Sequence, residues 1–94
     1  MSEQTSGGLV GPPPTNIIET EIKGDISLFD ARTNQVLVLN GTASDVWRLC
    51  DGEQTFDQIV ALLARAYGRP ADDLRPDVEA TVARLIAEGF LPAL

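Results

Sequence analysis

The residue types that most often carry out chemistry are scarce in this chain. The sequence contains no histidine and a single cysteine, Cys50. Because zinc sites and the usual nucleophile–base pairs require His or several Cys, neither can be assembled here. Carboxylates remain, but Asp51 and Asp77 fit helix ends, and Asp72 with Asp73 offers fewer oxygen ligands than a metal ion needs. The sequence therefore predicts no enzyme, no metal site and no cofactor.

The feature that points to binding is the apolar run from Gln35 to Leu39. In an extended strand, Val36 and Val38 face one side, and Leu37 faces the other together with Leu39. A strand that is apolar on both faces needs cover on both. One face can pack on the helices, and in a protein this small no second layer is obvious for the other. For the other face, the sequence leaves two alternatives open. Either the last helix or the N-terminal segment covers it, or a partner peptide adds a strand at an exposed edge.

The elements that would position this run begin with a small sheet. Ile18, Thr20 and Ile22 alternate with Glu19 and Glu21, which predicts a half-buried strand over residues 17–22. Two more apolar strands are predicted over residues 26–30 and 35–39. Because the connections between them are short, the three strands should form an antiparallel meander.

Capping signals place the first two helices. Thr42 is predicted as the N-cap of the first helix, with Asp45 in its first turn and Gly52 after its end. Thr55 and Gln58 have the spacing of a capping box at the start of the second helix.

The third helix is predicted to begin near Pro76 and to end at Gly89. Val78, Val82, Leu85 and Ile86 form its apolar stripe, and Leu74 is placed to extend it. Strands grouped before helices are typical of an α+β domain rather than of a parallel sheet.

Length and charge limit the remaining possibilities. The 94 residues suffice for one domain, which we place over residues 17–94. Residues 1–16, rich in Gly and Pro, are predicted to be a flexible tail in which Leu9 and Val10 are the pair suited to docking.

The net charge of −7 disfavours binding to nucleic acid and suits a basic peptide partner, although it equally suits a protein that is simply soluble. Without a signal peptide or a long apolar run, no membrane association is expected, and the predicted location is the cytoplasm.

A set of motifs occurs in a fixed order over residues 17–91. It consists of Leu39-Asn40, Thr42-Ala43, Val46-Trp47, Leu49-Cys50-Asp51-Gly52, Thr55, Ile59, Tyr67, Asp77-Val78, Val82, Leu85 and Gly89-Phe90-Leu91. This ordered set resembles the PqqD-like family, whose members recognise the leader peptides of ribosomally made, post-translationally modified peptides. Two features depart from the members that serve pyrroloquinoline quinone biosynthesis: the turn at residues 31–34 lacks Pro-Glu-Gly, and the tail is longer. Both argue against that pathway, not against the family.

The resemblance implies a winged helix-turn-helix-like fold in which a leader peptide pairs with the third strand and lies against the last helix. It does not say which flank of that helix faces the peptide: Asp77, Thr81 and Glu88 lie on one side, Arg75 and Glu79 on the other. The peptide-binding residues that it implies are Gln35, Val36, Leu37, Val38, Asp77, Val78, Thr81, Arg84 and Leu85.

In functional terms, the resemblance implies a binding module that holds a precursor peptide and presents its core to a separate processing enzyme. A leader peptidase of a lasso-peptide system is the preferred partner, and a radical-SAM maturase is the next. A winged-helix DNA-binding regulator is the alternative from another class. The acidic charge disfavours it, because its helices lack the Arg and Lys cluster that a DNA groove requires.

Overall fold

A three-stranded antiparallel sheet precedes three helices in the computed structural model, which describes residues 8–93. The sheet has the order β1-β2-β3, so β1 and β3 are its edges. The predicted α+β architecture and element order are confirmed. The elements are β1 (Ile17–Ile22), β2 (Asp25–Asp30), β3 (Gln35–Leu39), α1 (Gly41–Leu49), α2 (Phe56–Tyr67) and α3 (Ala71–Ala87).

The core lies between one face of the sheet and the helices. Leu74 and Val78 of α3 continue into Val82 and Leu85 as one buried stripe, as their spacing predicts. Trp47 and Cys50, at the end of α1, are buried too. The other buried apolar residues are Val10, Ile26, Leu28, Leu37, Leu39, Val46, Ile59, Val60, Leu63, Phe90 and Leu91.

Strand β1 has the predicted alternation but faces the opposite way. The isoleucines were expected on the buried side, yet Ile18 and Ile22 are exposed, whereas Glu19 and Glu21 point toward α1. The reason lies in α1. The indole Nε1–H of Trp47 donates a 2.7 Å hydrogen bond to Glu19, and Arg48 lies 3.2 Å from a carboxylate oxygen of Glu21. A buried indole N–H requires an acceptor, and the edge strand supplies it.

The N-cap of α1 is Asn40, not the predicted Thr42. The Asn40 side chain accepts a 2.9 Å hydrogen bond from the Ala43 amide, because the helix starts directly after β3 at Gly41. The first turn of α1 therefore contains no acidic residue, and Asp45 lies one turn further along.

The other two helix starts gave opposite outcomes. The capping box of Thr55 and Gln58 is confirmed, with both reciprocal hydrogen bonds formed. The predicted start of α3 near Pro76 is wrong, because the helix begins at Ala71 and includes Pro76. Pro76 and Asp72 both face solvent, so water can satisfy the Asp72 carbonyl that the proline leaves without a donor.

The N-terminal strap, residues 8–14, docks against the connection between α1 and α2. The Val10 amide donates to the Gln54 carbonyl at 2.8 Å, and the Val10 carbonyl accepts from the Gly52 amide at 2.9 Å. The Val10 side chain is fully buried. Part of the predicted tail is thus bound to the domain. Residues 1–7 lie outside the described residues, and the flexibility of the tail and the domain boundary at residue 17 stay predictions.

A buried carboxylate holds the turn between β2 and β3. One oxygen of Asp30 accepts hydrogen bonds from the Asn16 side chain at 2.7 Å and from the Arg32 amide at 2.9 Å. Burial by itself raises the pKa of Asp30, whereas these hydrogen bonds and one from Thr33 lower it. The net effect holds the pKa below its ordinary value of 3.8, so the native state favours the ionised form.

We expect this carboxylate to make stability sensitive to acid. Because the pKa of Asp30 is lower in the folded state, its contribution is present above pH 3.8 and is lost as the pH falls below that value. Urea midpoints measured between pH 2 and pH 6 should therefore fall less steeply for Asp30→Asn than for the wild type. Asp25→Asn, an exposed position on the same strand, is the matched control. Equal pH profiles for Asp30→Asn and the wild type would contradict the assignment.

Candidate functional site

Among residues 8–93, strand β3 presents a free edge along its whole length. Within this range it pairs with β2 on one side only, so alternate backbone N–H and C=O groups on the other side have no strand partner. Leu37 and Leu39 are buried beneath the sheet, whereas Val36 and Val38 are 59% and 64% exposed on its outer face. The strand therefore offers hydrogen-bonding groups and two apolar side chains to an incoming chain.

The two edges of the sheet differ in a way that favours β3. On β1, Glu19 and Glu21 point inward, and inward charges on an edge strand discourage pairing with another strand. Strand β3 carries no charged residue. An extended peptide would thus meet two carboxylates at the β1 edge and an uncharged backbone at the β3 edge.

Helix α3 turns one definite flank toward β3. Asp77, Thr81, Arg84 and Glu88 follow each other at helical spacing along this flank. At its far end, the Gln35 side chain donates a 3.4 Å hydrogen bond to Glu88, which also lies 3.0 Å from Arg84. This contact ties the flank to the start of β3.

The opposite flank of α3 packs against α2. Arg75 lies 2.9 Å from Asp57 and stacks over the ring of Phe56, with its guanidinium carbon 5.6 Å from the ring centre. The ambiguity that the sequence leaves is thereby resolved: the Asp77 flank faces β3, and the Arg75 flank faces α2.

We call the space between the β3 edge and this flank of α3 the groove. No Cα atom of β3 lies within 8 Å of a Cα atom of α3, so the two backbones do not pack together. From Asp77 to Glu88 the flank runs for about 16 Å at 1.5 Å per residue. A strand from Gln35 to Asn40 covers about the same length. A further strand beside β3 would need about 4.8 Å in the hydrogen-bonding direction.

A polar cleft of about 290 Å³ forms the end of the groove nearest Leu39. It lies where β3 passes into α1 and faces the middle of α3. Its lining residues are Asn40, Thr42, Ala43, Asp77, Ala80 and Thr81.

The structure separates the predicted peptide-binding residues into two groups. Six have exposed or half-buried side chains at the edge or the groove: Gln35, Val36, Val38, Asp77, Thr81 and Arg84. Three have side chains in the core: Leu37, Val78 and Leu85. The core side chains support the groove from below, and Leu37 offers only its backbone to the edge. The peptide-binding role of all nine residues stays a prediction.

Five groove residues were not among the predicted ones: Asn40, Thr42, Ala43, Ala80 and Glu88. Glu88 lies eleven residues after Asp77, a spacing that keeps it on the same flank, so periodicity alone signals it. The sequence favours a capping role for Thr42 and a core position for Ala43, and its spacing does not mark Asn40 or Ala80 as groove residues.

The two side chains best suited to nucleophilic or acid–base chemistry, Cys50 and Tyr67, are both kept in their protonated forms by their surroundings. Burial, with a smaller contribution from Asp51, raises the pKa of the Cys50 thiol to about 12, so the thiol stays protonated at neutral pH. Burial and the hydrogen bond to Asp45 raise the pKa of Tyr67. Across residues 8–93, no three His, Cys, Asp or Glu side chains come together as a metal site. Within the same range, no helix has the length and apolar character needed to cross a membrane.

Comparison with known proteins identifies relatives of this fold. The sequence profile of one family, described as coenzyme PQQ synthesis protein D (PqqD), matches residues 25–91. No curated protein sequence matches the chain significantly.

Two solved structures resemble the whole domain. One, "TbiB1 in Complex with the TbiA(beta) Leader Peptide", is 16% identical with a TM-score of 0.78, covering 87% of this chain and 95% of that one. The other, "Lasso peptide synthetase B1 complexed with the leader peptide", is 25% identical with a TM-score of 0.73, covering 87% and 96%. Both of these relatives were solved with a leader peptide bound.

Proposed function

Because this chain belongs to the PqqD family, we propose that it is a binding protein that captures the leader segment of a ribosomally made precursor peptide. The leader adds to the sheet as a strand beside β3 and lies in the groove against α3. The observation that carries this proposal is the free, uncharged edge of β3 with its exposed Val36 and Val38. The leader peptides bound to the two similar structures support it.

The physics of strand addition accounts for both affinity and selectivity. The leader backbone satisfies the unpaired N–H and C=O groups of β3, which works for any sequence. Its side chains then alternate. One set lies beside Val36 and Val38 on the outer face, and the other enters the groove toward Thr81 and Arg84. We expect a dissociation constant between micromolar and nanomolar, equivalent to about 8–12 kcal/mol.

We further propose that the captured peptide is presented to a separate processing enzyme, and that this chain contributes no catalysis or cofactor of its own. Holding the leader converts the enzyme's encounter with the core segment into an intramolecular event at a high effective concentration. A leader peptidase of a lasso-peptide pathway is our first choice of enzyme, and a radical-SAM maturase is the second. Because precursors are made on ribosomes, the cytoplasm is the proposed location.

The direct test is a polarisation titration with the fluorescently labelled N-terminal segment of the short precursor encoded beside the gene. We expect saturable binding, together with slowed amide hydrogen exchange in β3 but not in β1. A scrambled peptide of the same composition controls for nonspecific attraction. The absence of saturable binding with a confirmed precursor, or protection that is confined to β1, would refute the proposal.

A further inference from the structure

Asp77 occupies a distinctive place in the groove. Its side chain borders the polar cleft at the Leu39 end. Across residues 8–93, no Arg or Lys lies within 4 Å of the Asp77 carboxylate. Asp73 and Glu88, at the two ends of α3, are each paired with an arginine one turn away. Asp72, Asp77 and Glu79 have no such partner among residues 8–93, and of these three only Asp77 lines the cleft. A carboxylate that faces a cleft without an internal cation can accept one from a ligand.

The opposite end of the groove carries an ion pair instead. Arg84 and Glu88 lie 3.0 Å apart there, so their charges compensate each other. An incoming basic side chain is therefore attracted more strongly at the Asp77 end than at the Glu88 end. When only backbone hydrogen bonds hold an extended strand at a free edge, no register of pairing is preferred. A strand that carries one basic residue gains a preferred register, because that residue is placed beside Asp77.

We propose that Asp77 selects a Lys or Arg side chain on the groove-facing side of the strand that adds to β3. This inference rests on the proposed function. The cleft is large enough for the end of a long side chain, at about 290 Å³, and Thr42 and Thr81 also line it. The net charge of −7 favours a basic peptide overall, and Asp77 fixes where along the bound strand the basic residue lies.

The test selects peptides without knowing the natural one. A display library of twelve-residue random peptides is selected on immobilised wild-type protein, Asp77→Asn and Asp77→Lys. Glu79→Gln is the matched control, since it removes one exposed carboxylate from the same helix but from the other flank. We expect a basic residue to be enriched at one position on the wild type and on Glu79→Gln, lost on Asp77→Asn, and replaced by an acidic residue on Asp77→Lys.

Synthetic peptides make the result quantitative. Changing the enriched Lys or Arg to Gln should weaken binding to the wild type roughly two- to fivefold, as for a solvent-accessible ion pair. The same change should leave binding to Asp77→Asn unaltered. Thermal unfolding of each variant controls for a purely structural role of Asp77 beside the start of α1.

The possible results distinguish a failure of the Asp77 assignment from a failure of leader capture at β3. If the selected peptides bind at β3 but carry the same consensus on wild type and Asp77→Asn, the assignment of Asp77 is wrong and leader capture stands. If no peptide is enriched on the wild type, or if the enriched peptides bind a Val38→Asp variant equally well, both proposals fail.

Discussion

A Val38→Asp variant is expected to lose leader binding by about 30- to 100-fold while it remains folded. The physical reason is the position of Val38 on the outer face of the edge strand, with its side chain 64% exposed. An added strand would bury the new carboxylate beside its own side chains without a partner, at a cost of roughly 2–3 kcal/mol. In the free protein the same carboxylate stays in water, so the domain loses little stability.

Ile22→Asp is the matched control for this experiment. Ile22 is 62% exposed on the same face, but it lies on β1, at the opposite edge of the sheet. Both variants should unfold at similar urea concentrations, since each places an aspartate on an exposed strand position. Polarisation titrations with the labelled leader should show loss of affinity only for Val38→Asp. Equal losses, or no loss in either variant, would contradict strand addition at β3.

Gly11→Ala is expected to lower the free energy of unfolding by about 3 kcal/mol, because it detaches the N-terminal strap. Gly11 has φ of +85°, and a Cβ at this position would overlap the carbonyl oxygen of Cys50. Backbone atoms on both sides leave no flexible group to move away. Undocking the strap exposes Val10, whose burial contributes about 1.5–3 kcal/mol, and breaks its two backbone hydrogen bonds with Gln54 and Gly52.

Gly24→Ala separates the steric effect from the backbone effect. Gly24 has φ of +89°, yet a Cβ there would meet no atom within 4 Å. This variant should cost only the strain of the left-handed conformation, about 1 kcal/mol. Urea unfolding measures both losses, and limited proteolysis should cut near residues 8–14 only in Gly11→Ala. If the two variants were equally stable, the strap would contribute little to the fold.

Local signals in the sequence predicted local structure well. The capping box at Thr55 and Gln58 and the buried stripe from Leu74 to Leu85 formed as expected, because each depends on residues a few positions apart. The same reasoning misplaced the start of α3 at Pro76. A proline is tolerated in the second turn when the carbonyl it orphans faces water, and exposure is not a local property.

The orientation of β1 shows where local reasoning stops. Alternation predicts a strand with two faces, but it does not say which face is turned to the core. Here Glu19 and Glu21 are turned inward because Trp47 and Arg48, more than 20 residues later, provide a buried donor and a cation. Ile18 is exposed because of contacts between residues far apart in the sequence, which the pattern of neighbouring residues does not reveal.

By itself, the sequence determined three strands followed by three helices, an apolar third strand and a residue set with no histidine and one cysteine. Periodicity, caps and residue types carry that information along the chain. Only the tertiary structure decided that Val36 and Val38 lie uncovered, that the Asp77 flank borders the groove and that Val10 is buried. These outcomes depend on distant partners, such as Gln35 with Glu88 and Val10 with Gln54. Such pairs become neighbours only when burial of the shared core brings the helices onto the sheet.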